Sequence, residues 1–130
     1  MFFGLASLGV LALAFTTWDK IAVSATGTVA SMDVDSLETS GNLTKVWISY
    51  DFSRDKTQVA RSGVTRFQID CQTKLIRTIS MVRYAPTGRI LADEKTPSSG
   101  FDEIVPGSFG DDIASAVCGH AQTRNRILGR

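Results

Sequence analysis

Histidine, cysteine and net charge are all scarce in this 130-residue chain, and each scarcity closes off a class of function. There is one histidine, His120, directly behind Gly119. An active site needs a nucleophile beside a base, or paired carboxylates in a cleft, and the sequence offers no such constellation. The lone imidazole has an ordinary explanation in a favourable contact with a helix C-terminus. There are two cysteines, Cys71 and Cys118. Neither has a histidine nearby or Cys-x-x-Cys spacing, so zinc binding and thiol chemistry are unsupported. The formal net charge is +1, too balanced for a general nucleic-acid binder. No apolar run reaches the roughly 20 residues that span a bilayer. No segment repeats and no tract is of low complexity. The expectation is therefore a non-enzymatic chain with no catalytic residue, no metal, no cofactor and no nucleic-acid partner.

What is present begins with a leader. Phe2 to Phe15 carries no charge, and Ala12-Leu13-Ala14 has the form of a signal-peptide cleavage site, although no basic residue precedes the run. We read residues 1–14 as a signal peptide, with an uncleaved tether as the alternative. Residues 15–119 form one small domain, long enough to bury a core without a metal or a partner. Residues 120–130, with Arg124, Arg126 and Arg130, read as a flexible basic tail. No cysteine stands at the leader boundary to take a lipid, so no stable membrane anchor is expected after cleavage. In an exported chain the two cysteines read as one disulfide pinning a helix to a sheet, two buried thiols being the alternative. Such a bond closes a loop of about 47 residues, for which the chain-entropy model gives roughly 4 kcal/mol.

Period-two alternation marks the strands. Trp18 to Ala25 and Thr28 to Val34 read as a hairpin turning at Ala25-Thr26-Gly27, with Ala30, Met32 and Val34 on one face. Residues 35–42 read as a loop. The clearest strand sets Val46, Ile48, Tyr50 and Phe52 against Lys45, Trp47, Ser49 and Asp51. Thr65, Phe67, Ile69 and Cys71 face inward on the next, opposite Val64, Arg66, Gln68 and Asp70. Gln72-Thr73-Lys74 joins it to a run from Leu75 to Ala85 whose inward face stays open: Leu75, Ile79 and Met81 share parity with Arg77 and Arg83, against Ile76, Val82 and Tyr84. Arg89 to Ala92 reads as a short strand, and Asp93 to Gly107 as a long loop with an extended piece at Glu103 to Val105. A helix follows. Ser108 caps it, Asp111 and Asp112 complement its dipole, Phe109, Ile113, Ala116 and Val117 form its apolar stripe, and Gly119 stops it. The fold class is α+β: a small antiparallel sheet with a C-terminal helix on one face, joined to it by the disulfide.

Candidate binding residues are few. Trp47 is a large aromatic on the polar side of its strand, either covered by a neighbouring element or part of a contact surface. Arg77 and Arg83 share parity, and Arg66 is placed next to them; such a stripe suits an acidic partner, or is a solvated sheet face. The pairs Asp33/Asp35 and Asp111/Asp112 are explained by surface alternation and helix capping, and lack the further ligands that calcium needs.

The order of landmarks resembles the surface-adhesin protein E family of Gram-negative bacteria: Trp18, Gly27-Thr28-Val29, Met32-Asp33-Val34-Asp35-Ser36-Leu37, Lys45-Val46-Trp47, Phe67-Gln68-Ile69-Asp70-Cys71, then Val105-Pro106-Gly107-Ser108 leading to Ala116-Val117-Cys118. The resemblance covers Trp18 to Gly119. It implies a compact antiparallel sheet with a C-terminal helix and a disulfide between them. It further implies a non-catalytic surface protein that binds host matrix and plasma proteins such as vitronectin, laminin and plasminogen, and that dimerises. The family's named adhesin is a lipoprotein and this chain has no lipidation cysteine, so a periplasmic location stands beside a secreted or cell-surface one. The partner is then a host protein or an envelope protein. An inhibitor or accessory factor of a periplasmic hydrolase, inserting the Asp93 to Gly107 loop into a cleft, is the alternative.

Overall fold

The computed structural model describes residues 17–94 and 100–128. The leader at 1–14 lies outside them. Strand β1 (Trp18–Val23) and β2 (Val29–Asp33) form a hairpin whose turn depends on Gly27. Its φ is 105°, in the region that favours glycine, and a Cβ there would stand 3.0 Å from the Arg54 carbonyl oxygen. A 3-10 turn (Val34–Ser36) leads into β3 (Glu38–Ser40), β4 (Leu43–Asp51), β5 (Ser62–Asp70), β6 (Leu75–Tyr84), β7 (Ile90–Glu94), β8 (Asp102–Glu103) and helix α1 (Phe109–Ile127). The strands make one antiparallel sheet in the order β1-β2-β4-β5-β6-β7, with β3 on β4 and β8 on β6. This is the expected α+β architecture.

Register fixes which side chains share a face, because directly paired residues point the same way. The inner face carries Ala30 and Met32 opposite Tyr50 and Ile48, then Val46 opposite Phe67 and Thr44 opposite Ile69. Ala30, Met32, Val46, Ile48 and Ile69 are fully buried there, under Ile113, Ala114 and Val117 of α1. Ser108 caps the helix, accepting from the Asp111 N–H at 3.2 Å, while an Asp111 carboxylate oxygen accepts from the Gly107 N–H at 2.9 Å. Asp33 likewise caps the 3-10 turn. The Asp111/Asp112 pair thus sits at the helix start as expected, whereas Asp33 and Asp35 do not alternate along a strand: Asp35 belongs to the turn that Asp33 caps.

Three expectations are corrected. Residues 35–42 are more than a loop: β3 pairs along Leu43–Lys45, and Ser36 Oγ accepts from the Trp47 N–H at 2.9 Å, filling the gap that β2 leaves beside β4. The helix does not stop at Gly119, and no flexible tail begins at residue 120. It runs on to Ile127, with Ala121 buried and the Arg124 guanidinium donating to the Leu37 carbonyl at 2.8 Å. His120 is therefore inside the helix, 3.4 Å from Asp19 of β1. On β6 neither proposed face is the inward one. The register against β5 shifts between Arg66 and Phe67, whose partners are Ser80 and Thr78. Ile79 is the extra residue of this bulge, so side-chain parity changes there: Ile76, Thr78, Met81 and Arg83 lie inward, and Leu75, Arg77, Ser80, Val82 and Tyr84 outward.

The β4–β5 connection is organised by Asp55, which is buried and accepts hydroxyl hydrogen bonds from Thr28 and Thr57 at 2.5 Å and from Thr26 at 2.7 Å. The Thr28 bond, followed by those of Thr57 and Thr26, holds its carboxyl well below the ordinary carboxylate range. A carboxyl depressed in the folded state contributes stability that is complete above its unfolded value near 4 and is lost as pH falls below it. The melting temperature should therefore fall more steeply from pH 4 to pH 2 in the native chain than in Asp55→Asn, which removes the titrating group. Parallel slopes in thermal scans at those two pH values would refute the assignment.

Candidate functional site

The two faces of the sheet offer different chemistry. On the outer face, the pairing Trp47–Arg66–Ser80 runs across β4, β5 and β6, beside Glu38–Lys45–Gln68–Arg77 from β3 to β6. The Arg66 guanidinium lies 5.9 Å from the centre of the Trp47 ring and bridges Glu38 at 3.0 Å. Its Nε is buried without a hydrogen-bond partner. Arg77 donates from Nε to Gln68 Oε1 at 2.8 Å and covers the Phe101 ring at 5.0 Å. These contacts hold two flexible cations flat against the sheet, which lowers the side-chain entropy they would lose on meeting a partner. A groove of about 290 Å³ lined by Glu38, Lys45 and Gln68 adjoins them.

Of the residues singled out in the sequence, the structure brings Trp47, Arg66 and Arg77 onto this one face and separates Arg83 from them. The Ile79 bulge turns Arg83 to the inner face, where it stacks 5.1 Å over the Phe52 ring. Trp47 is half-buried, with the Arg66 guanidinium over its ring. Sequence reasoning missed Glu38, Gln68 and Phe101. Glu38 was hidden by the unrecognised β3, and only register could have joined Gln68 to Arg77.

The inner face has its own cleft. Among the described residues α1 covers β1, β2 and part of β4, and the inner side of β5–β6 beside its N-terminus is left to a cleft. There a cavity of about 330 Å³ is lined by Tyr50, Phe52, Phe67, Met81, Arg83 and Phe109 together with polar side chains that include Thr65, Thr78 and Asp55. Burial pushes the Tyr50 phenol up to about 12, against the opposing pull of Arg83.

The disulfide is made as expected, joining Cys71 at the end of β5 to Cys118 of α1 with their Cα atoms 5.8 Å apart. Among the described residues, no three His, Cys, Asp or Glu side chains gather as metal ligands would, and no helix is long and apolar enough to cross a membrane.

Comparison with known proteins gives a concordant picture. Residues 18–119 match the family model described as surface-adhesin protein E. Two structures of Haemophilus influenzae protein E share the fold. One superposes with a TM-score of 0.54 at 13% identity, covering 78% of this chain and 83% of that one. A second crystal form gives 0.53 at 11% identity, covering 82% and 97%. At such identities the likeness speaks for the fold alone. Comparison with curated protein sequences gives no match.

Proposed function

The chain belongs to the surface-adhesin protein E family, and from that membership we propose that it is an exported, non-catalytic protein-binding module whose outer sheet face grips a host matrix or plasma protein, or a partner in the cell envelope. The observation that carries this reading is the pre-arranged Trp47–Arg66–Arg77 surface on the side of the sheet opposite α1. Tryptophan and arginine dominate binding hot spots, and held side chains cost less to dock. The two cations further select an acidic patch on the partner. Arg83 has no part in this surface. The domain is taken as residues 15–119 continued by the rest of α1, behind a signal peptide at 1–14. Fractionation with surface protease accessibility and N-terminal sequencing of the mature form distinguishes a cell-surface from a periplasmic location. A second copy of the chain is a further partner, measured by light scattering across concentration.

The direct test is binding to immobilised vitronectin and laminin, with an envelope-protein pull-down in parallel. Trp47→Ala should weaken whichever interaction is found by about 30-fold, the loss of one hot spot of roughly 2 kcal/mol, and Arg77→Glu should act in the same direction. Affinity unchanged in both variants would remove the outer face from the interaction.

A further inference from the structure

The inner cleft carries chemistry that protein docking on the opposite face leaves unused. Two hydrogen-bond donors open into it. Among the described residues Arg83 has no carboxylate partner, its guanidinium being placed only by Phe52 at 5.1 Å, and the Tyr50 hydroxyl makes no hydrogen bond to another side chain. Tyr50 itself is positioned by ring contacts, 5.6 Å to Phe52 and 6.2 Å to Phe109. Beside this pair lies an apolar strip, Phe67 and Met81 on the sheet floor and Phe109 from the first turn of α1, flanked by the hydroxyls of Thr65 and Thr78. A cation and a phenol beside an apolar strip match a carboxylate on an apolar body.

The rim limits the charge of the ligand. Asp55 lines the same cleft, and its oxygens are already bonded to Thr26, Thr28 and Thr57, so it offers a ligand no free acceptor while remaining negative. One guanidinium facing one fixed carboxylate tolerates a monoanion and disfavours a phosphate-like dianion. The volume, about 330 Å³, lies at the small end of ligand pockets, which favours a free small molecule over a folded partner. Stacking of the Arg83 guanidinium over the Phe52 ring, 5.1 Å from its centre, holds the charge over the sheet floor.

We propose that this cleft binds a small monocarboxylate with an apolar body, of the size and character of a medium-chain fatty acid, with Arg83 and Tyr50 holding the carboxylate and Phe67, Met81 and Phe109 the chain. The site is independent of the outer face, so it stands or falls separately from the adhesive reading.

Titration calorimetry on the full chain, backed by amide-shift mapping, tests it with decanoate and decan-1-ol as probes. Decanoate should bind saturably, at least 10-fold more tightly than decan-1-ol, with shifts centred on Thr78, Met81 and Phe109. Arg83→Gln should abolish the preference for the acid, Tyr50→Phe should reduce decanoate affinity several-fold, and Arg126→Gln in the exposed last turn of α1 should change nothing. Circular-dichroism melts check that each variant is folded, and Arg83→Lys, which keeps the charge, should retain part of the preference if Arg83→Gln does not fold. Absence of saturable binding, equal affinity for acid and alcohol, or shifts spread over other surfaces would overturn the proposal. So would a site that takes only a peptide ending in an apolar residue and rejects decanoate.

Discussion

Breaking the Cys71–Cys118 bond is expected to lower the unfolding free energy by about 4 kcal/mol, the chain-entropy value for the sequence separation of 47 residues. A domain of this size holds only about 5–15 kcal/mol in total, so the loss is a large fraction of it and corresponds to a drop in melting temperature on the order of 15 °C. The position of the bond decides which element feels its loss first. It ties the end of a central strand to the middle of the only helix among the described residues, beside Val117 and Ile69, both fully buried. Cys71→Ser, Cys118→Ser and the double variant should unfold at nearly the same urea concentration, because either single change removes the whole constraint. Hydrogen exchange in the reduced protein should rise first in α1. A loss below about 1 kcal/mol in all three variants would mean that packing alone seats the helix and that the entropic account does not apply here.

How much of this was legible beforehand depended on whether local pattern or distant contact decided each element. The alternation of β4 and β5 is unbroken, and their inward sets, from Val46 and Ile48 to Phe67 and Ile69, follow directly from it. On β6 the same logic leaves two competing faces, each mixing apolar residues with arginines or polar neighbours. The cause is the register shift opposite Arg66 and Phe67: a single inserted residue inverts every side chain after it, and nothing in Thr78-Ile79-Ser80 announces it. That one residue decides the candidate site as well, since it sends Arg77 to the outer surface and Arg83 into the inner cleft. β3 escaped notice for a related reason. Glu38-Thr39-Ser40 has turn-like composition, and its strand exists because β4 offers a free edge along Leu43–Lys45. The cysteine pair, in contrast, needed only the export argument and the inward parity of Cys71, and the disulfide is present.

Ending the chain after His120 should cost about 3 kcal/mol, and this tests the part of the helix that the sequence misrepresents most. Glycine in a helix interior is worth about 1 kcal/mol less than alanine, which is why Gly119 reads as a stop. Nothing lies within 4 Å of a Cβ placed on it, so the backbone there is free to continue, and what makes it continue lies further on. Ala121 is 4% exposed against the sheet, and Arg124 donates to the Leu37 carbonyl at 2.8 Å, a charge-assisted bond worth roughly 1.5–3 kcal/mol. The truncation removes both and uncovers Leu37, itself 4% exposed; burial of such a side chain contributes about 1.5–3 kcal/mol when complete. The His120–Asp19 contact at 3.4 Å, with both side chains about half exposed, survives the cut and adds little. Arg124→Ala should reproduce 1–2 kcal/mol of the loss, and Gly119→Ala should raise the stability of the full chain by about 0.5–1 kcal/mol. Urea melts of the three variants provide the check. If the truncated protein unfolded at the midpoint of the full chain, the last two turns of α1 would be an appendage, and the matched family region at 18–119 would fold without the contacts that here close one end of the core over Leu37.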